Sequence, residues 1–453
     1  MKVISEANTA VLKILARFNR KSENSRLMHY VVETPADNGV LLYNLLTLEM
    51  VYLTEEENKL RNDSEYLKEK WFVVPEDTNE KELSDLAKMV INPKKDNLDT
   101  ITGYTIFPTT DCNARCFYCF ELGRSRIPMT DETAYKVAKY IRQRSKGEKV
   151  RISWFGGEPL INQSAIDIIC NDLRENGVEF KSSAVSNGYL FDEETVKKAV
   201  SFWNLKKVQI TLDGTEEVYN KTKAFVYKNT NPYQIVLNNI ENLLNAGVIV
   251  HIRLNMDLYN AQELMNLVNE LAERFKDREK LYIYAHHIFE GNTPMAQFRT
   301  ESEWEERDVL MCKLEELIKQ KGFSFKSGIA KQLKRNHCMA DGGRSVTILP
   351  DGNIGLCEHF SEDEFIGHID GDSFNQTVIE NWKETSTEIP ECAQCFYYPQ
   401  CIRLKKCAND SICFTQNRNG KLRKVKDQMY NEYNRWLKNA EPEESDDEVL
   451  VTE

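Results

Sequence analysis

Three cysteines within eight residues are the first feature that could do chemistry. Cys112-Asn113-Ala114-Arg115-Cys116-Phe117-Tyr118-Cys119 puts three thiols on one short loop. Three thiolates so placed can hold three irons of a [4Fe–4S] cluster, and without a fourth nearby Cys one iron stays open for another ligand. A structural zinc is the competing use, although zinc favours four ligands in paired knuckles. A second set follows far downstream: Cys338, Cys357, Cys392, Cys395, Cys401, Cys407 and Cys413. Only Cys170 and Cys312 of the chain's 12 Cys stand apart, among apolar neighbours that suit a core role. Clustering of this kind reads as metal ligation rather than as a disulfide framework.

A loop that holds metal needs a rigid seat. From Gly103 strand and helix patterns alternate, with strands expected at Tyr104–Pro108, Val150–Phe155, Phe180–Val185, Val208–Leu212, Val248–Leu254 and Leu281–His287. Helices are expected at Ala261–Phe275 and Ser302–Gln320, among others. Six βα units in series predict an α/β fold, a parallel sheet curled into a partial, open (β/α)6 barrel. In such barrels chemistry gathers at the C-terminal strand ends. The Cys loop follows the first strand. Gly156-Gly157-Glu158 ends the second, Ser186-Asn187-Gly188 the third and Thr211-Leu212-Asp213-Gly214 the fourth. Asn255 ends the fifth, and His286 and His287 the sixth.

Before the barrel, residues 1–26 read as an amphipathic helix with Val11, Ile14, Leu15 and Phe18 on one face. Strands at His29–Thr34, Val40–Leu46 and Met50–Leu53 follow, then helices with a short strand near Trp71–Val74. This gives an α+β, winged-helix-like unit over 1–95, the barrel over 103–322, a Cys-rich unit over 330–437 and an acidic tail over 441–453. The 453-residue chain is 41% hydrophobic with net charge −12, which excludes global disorder and disfavours a protein built to grip nucleic acid. There is no apolar run long enough for a membrane helix and no signal-peptide pattern, so a cytoplasmic protein is expected.

The Cys loop and the strand-end motifs resemble those of the radical S-adenosylmethionine (radical SAM) enzymes, over residues 103 to about 320. The resemblance implies that Cys112, Cys116 and Cys119 hold a [4Fe–4S] cluster whose open iron chelates S-adenosyl-L-methionine. That cofactor is cleaved reductively to a 5′-deoxyadenosyl radical. It further implies that Tyr118 lies against the adenine and that Gly156, Gly157 and Glu158 hold the amino group. Ser186 and Asn187 would contact the ribose, with Asn255 a further polar contact. Lys223 stands where many relatives carry an Arg for the cofactor carboxylate; Lys is a point charge without the bidentate fork. The downstream Cys set resembles the SPASM extension, which implies two auxiliary [4Fe–4S] clusters, three in all. By that resemblance Cys392, Cys395, Cys401 and Cys413 hold the outer one, and Cys338, Cys357 and Cys407 the inner. Glu358, next to Cys357, matches the place of a catalytic base in sulfatase-maturing relatives. Residues 1–95 resemble the recognition element that binds a leader peptide by strand addition in maturases of ribosomally made peptides. As a separable module it should be removable without loss of cofactor cleavage.

These readings lead to an enzyme that modifies a short precursor peptide by hydrogen abstraction, installing a Cys thioether, with reduced flavodoxin or ferredoxin as electron donor. Carbon–carbon crosslinking, another oxidative edit and formylglycine formation are the enzymatic alternatives. An iron–sulfur electron carrier is the non-catalytic one, but a carrier needs no S-adenosylmethionine pocket.

Overall fold

The computed structural model describes residues 1–18, 24–91, 98–119, 121, 123, 125–288, 301–323, 328–333, 338–340, 342–359, 364–383, 390–401 and 415–440. Cys407, Cys413 and the tail 441–453 lie outside the described residues. The chain opens with β1 (Lys2–Ser5) and α1 (Thr9–Leu15), where one helix over 1–26 was expected. Lys2 and Val3 pair antiparallel with Tyr52 and Val51, a partner that helical periodicity cannot show. Asn8 then starts the helix, its Oδ1 accepting from the Ala10 and Val11 N–H at 3.0 and 3.2 Å. Val11, Ile14 and Leu15 still form one buried face.

Next come β2 (Ser25–Leu27), β3 (Val31–Ala36), β4 (Gly39–Asn44), β5 (Met50–Thr54), α2 (Glu55–Lys59), α3 (Glu65–Glu69), β6 (Val73–Pro75) and α4 (Glu80–Ile91). The larger sheet runs β1-β5-β4-β3, and β2 pairs with β6.

The barrel alternates β7 (Gly103–Thr109), α5 (Asp131–Ser145), β8 (Val150–Gly156), α6 (Gln163–Glu175), β9 (Phe180–Ser186), α7 (Glu193–Ser201) and β10 (Leu205–Leu212). Two helices, α8 (Glu216–Lys223) and α9 (Pro232–Asn245), lead to β11 (Ile249–Met256). Then follow α10 (Ala261–Arg274), β12 (Leu281–His287) and α11 (Glu301–Gln320). Along the parallel strands side chains alternate with period two. Trp154, Ala184, Ile210, Leu212, Ile252 and Leu254 are buried, and each large one contributes roughly 1.5–3 kcal/mol of burial. Their neighbours Ser153, Ser183, Gln209, Thr211, Arg253 and Tyr284 are only half-buried. The outward face therefore carries the stability, and the inward, polar face is left for a site.

The remaining elements are β13 (Ser345–Ile348), β14 (Asn353–Gly355), β15 (Gly367–His368), α12 (Gln376–Lys383) and α13 (Thr415–Ala440). β13 pairs parallel with β7, Val346 opposite Tyr104. The barrel sheet thus continues as β12-β11-β10-β9-β8-β7-β13-β14-β15 among the described residues. The Cys-rich region is built onto the barrel's first strand and does not stand beside it. In the other direction α13 completes the N-terminal core with Val425, Met429 and Tyr433. The Tyr433 ring stacks on Tyr52 at 5.7 Å, and the Tyr430 hydroxyl donates to Pro35 O at 2.7 Å. The core of residues 11–87 thus extends onto Ile329, Leu333 and α13.

Candidate active site at the barrel mouth

The loop after β7 is tied down at three places. The Arg115 N–H donates to Lys223 O at 2.8 Å, and the Val226 N–H to Asn113 O at 2.9 Å. Asn187 Nδ2, from the end of β9, donates to Asn113 Oδ1 at 2.6 Å. On this loop Cys112, Cys116 and Cys119 are free thiols, half-buried. The Ala114 N–H lies 3.4 Å from the Cys112 sulfur and Asn187 Nδ2 3.8 Å from it, donors suited to a thiolate. Burial pushes the Cys112 thiol up to about 12, with the Glu158 charge adding to it, and raises Cys116 and Cys119 as well. Such thiols ionise when a metal centre takes the place of the proton. Three thiols on one loop, with N–H donors beside the Cys112 sulfur, are of the chemistry that holds an iron–sulfur cluster.

The second strand end lies directly against this loop. Gly156 has φ +114°, and a Cβ there would stand 2.3 Å from Thr109 O. A Cβ on Gly157 would stand 2.2 Å from Asp111 O, the carbonyl that also accepts from the Glu158 N–H at 2.8 Å. Glycine is required here because two backbones touch. Gly157→Ala is expected to push the Cys loop away from β8, so that reconstituted protein retains less iron and melts at lower temperature. Iron content and melting temperature equal to the parent's would contradict this.

Glu158 is 0% exposed. Its carboxylate accepts from Ser186 Oγ at 2.9 and 3.0 Å, from the Asn187 N–H at 2.8 Å and from the Leu160 N–H at 3.2 Å. The resemblance set this carboxylate toward the cofactor's amino group; here its contacts fasten the second strand end to the third. Burial raises its pKa to about 7, against those hydrogen bonds. The folded chain then holds a proton that the unfolded chain releases near the ordinary value of 4.5. The stability this gives is present below that value and lost as pH rises through about 7, roughly 3 kcal/mol in all. Glu158→Gln should flatten this slope. Melting curves at pH 5 and pH 8 check it: parallel losses in parent and variant would refute it.

Lys223, expected to be available to a carboxylate, is only 4% exposed and lies 3.1 Å from Asp213 Oδ2. Its Nζ also donates to the Tyr118 hydroxyl at 3.0 Å, and that hydroxyl donates to Asp213 at 2.8–2.9 Å. Burial opposes the Lys223 charge, but Asp213, Tyr118 and Cys116 outweigh it and hold its pKa well above the lysine norm. Burial and then Asp213 hold the Tyr118 phenol protonated. Asp213 is thus a hub that the sequence motif contained without revealing its partner.

Asn255 accepts from Arg253 Nε at 2.9 Å, and Arg253 Nη2 meets His286 Nδ1 at 3.0 Å. Asn260 Nδ2 bonds both Asp213 O and Asn255 O at 2.9 Å, joining the fourth and fifth strand ends. Arg253 was not among the expected site residues. The signal was there: it alternates with Ile252 and Leu254 in step with Asn255. Of the second Cys set, Cys338 is exposed, while Cys357, Cys392, Cys395 and Cys401 are half-buried. The Cys395 N–H donates to Cys392 O at 3.2 Å, a tight turn between two thiols. Glu358 Oε2 lies 3.8 Å from the Cys357 sulfur. No three His, Cys, Asp or Glu side chains among the described residues converge on a single metal ion.

Residues 106–271 match the model of the Radical SAM superfamily, and the match contains the Cys loop, Gly156–Glu158 and Asp213. This segment is a radical SAM domain. The GTP 3′,8-cyclase of Clostridium perfringens strain 13 is 26% identical over 265 residues, 56% of this chain and 79% of that protein. The one from strain SM101 is 30% identical over 166 residues, 36% of this chain; the chain spans about half of its length, 49%. In structure the chain is similar to anSMEcpe with bound AdoMet, with a TM-score of 0.53 and 16% identity over 75% of this chain and 99% of that one. It is also similar to Streptococcus suis SuiB bound to precursor peptide SuiA, with a TM-score of 0.52 and 14% identity over 84% of this chain and 95% of that one. Residues 103–453 alone fall short of 84% of this chain, so the shared fold includes part of the N-terminal unit. The radical SAM domain implies one [4Fe–4S] cluster and S-adenosylmethionine, and the three thiols beside the glycine cradle are the residues that fit them. No helix among the described residues is long and apolar enough to cross a membrane.

Proposed function

We propose that the protein modifies a short ribosomal precursor peptide, removing hydrogen from a carbon of an acceptor residue and closing a Cys thioether onto it. The observation that carries this reading is the attachment of a four-stranded sheet, with the exposed edge strand β1, to a radical SAM barrel whose inner face is polar and half-open. An exposed edge offers backbone donors and acceptors to an extended leader. The likeness to SuiB in complex with SuiA supports a peptide partner. The bound cofactors would supply the hydrogen-abstracting radical, with reduced flavodoxin or ferredoxin as electron source.

In this reading Cys112, Cys116 and Cys119 hold the cluster, and the Gly156–Gly157 backbone, Ser186, Asn187 and Asn255 orient S-adenosylmethionine. Tyr118 borders the adenine, held in place by Asp213 and Lys223. Cys338, Cys357, Cys392, Cys395, Cys401, Cys407 and Cys413 would hold two auxiliary clusters, the inner of which would take the electron left over as the C–S bond closes, and Glu358 takes the substrate thiol proton. The protein acts in the cytoplasm. The test is anaerobic turnover with S-adenosylmethionine, a reductant and short peptides encoded next to the gene, read by tandem mass spectrometry. Each thioether lowers the peptide mass by two hydrogens, about 2 Da, and removes one alkylatable thiol. The same mass loss with every thiol still alkylatable would replace the thioether by a carbon–carbon bond.

A further inference from the structure

Two cations, Lys223 and Arg253, lie at the fourth and fifth strand ends, and they are in different states. Lys223 is neutralised by Asp213 and engaged by Tyr118. Arg253 has no carboxylate partner among the described residues. Its Nε donates to Asn255 Oδ1 at 2.9 Å, its side chain also hydrogen-bonds the Tyr284 hydroxyl, and its Nη2 lies 3.0 Å from His286 Nδ1. That same Nδ1 stands 2.6 Å from His287 O, so it can donate to this carbonyl or accept from Arg253, not both, and the carbonyl is the nearer. Asn255 and the Tyr284 hydroxyl thus set the guanidinium beside the His286 ring, and none of these groups has a negative charge to give it.

Arg253 stands opposite Thr211 on β10 and Tyr284 on β12, two residues before Asn255. At about 3.3 Å per residue it lies roughly 7 Å below that strand end, inside the barrel. A half-buried arginine fixed in this way on a neutral polar wall is arranged to meet an anion, and its planar fork matches a carboxylate.

We propose that Arg253, oriented by Asn255 and Tyr284, is the carboxylate anchor of the barrel mouth. The carboxylate has two possible sources, the methionyl group of S-adenosylmethionine or an acidic side chain of the peptide substrate. The proposal deepens the radical SAM peptide-modifying reading and rests on it for these two ligands.

Protection of Arg253 from phenylglyoxal, read by peptide mass mapping of the full-length, cluster-loaded chain, tests it without turnover. The probes are S-adenosylmethionine, its decarboxylated analogue, and acetyl-Glu-amide and acetyl-Gln-amide. Protection by S-adenosylmethionine and not by the decarboxylated analogue assigns the anchor to the cofactor. Protection by acetyl-Glu-amide and not by acetyl-Gln-amide assigns it to the substrate. Equal protection by both members of each pair, or by none of the four, overturns the proposal. In equilibrium binding, Arg253→Gln should lose about ten- to a hundredfold in affinity for the carboxylate-bearing member of the deciding pair and little for the other, with partial rescue by Arg253→Lys. Arg253→Gln with unchanged affinity for every probe overturns it as well. If the chain takes up no iron and binds no S-adenosylmethionine, the radical SAM reading fails instead, and the Glu and Gln pair still reports on Arg253.

Discussion

After anaerobic reconstitution, the chain with Cys112, Cys116 and Cys119 all replaced by Ala should hold about four fewer irons than the parent and leave S-adenosylmethionine uncleaved. The effect is total because the three sulfurs share one loop and are its metal-ligating side chains. The fold should survive. The loop's anchors are backbone groups of Asn113, Arg115, Lys223 and Val226, and none of them uses a sulfur. Melting near the parent's temperature together with lost iron is therefore the expected pair of results. Unchanged iron in the triple variant, or zinc as the dominant metal of the reconstituted parent, would remove the basis for radical chemistry at this mouth.

Deleting residues 1–95 should give a chain that aggregates, not a trimmed enzyme that still cleaves its cofactor. The deletion strips Val425, Met429 and Tyr433 of their cover, and all three are at most 6% exposed in the whole chain. Uncovering them costs on the order of 5 kcal/mol, comparable with the whole stability of many domains. It also leaves an apolar stripe along α13. Size-exclusion chromatography of the truncated chain decides this, and a monomer with parent-like cofactor cleavage would show that α13 folds without its sheet. Substrate capture should accordingly be tested by surface substitutions on the intact chain.

Much of the site was legible from the chain because strand-end positions are local. A strand, a turn and the residues between them lie within one βα unit, so Cys112–Cys119, Gly156–Glu158 and Ser186–Gly188 could be placed on adjacent strand ends by counting. The strand bounds came within two or three residues for the same reason, since alternation and turn chemistry are short-range signals. The helix expected over 1–26 was wrong in the opposite circumstance, because β1 exists through pairing with β5 some fifty residues away.

The sequence by itself therefore determined the inventory: three thiols on a loop, glycines beside them, a parallel barrel to carry them and a second thiol set downstream. Only the tertiary structure decided who partners whom. It turned the Glu158 carboxylate onto Ser186 and Asn187, and among the described residues it left Arg253 without a carboxylate partner. It placed β13 on β7 and α13 on the N-terminal sheet. It also locked Lys223 onto Asp213, ten residues away across the β10–α8 turn. The reason is physical. Residue type fixes what a side chain can donate, accept or ligate, but the charge it meets and the water it loses depend on elements that come together only when the sheet closes.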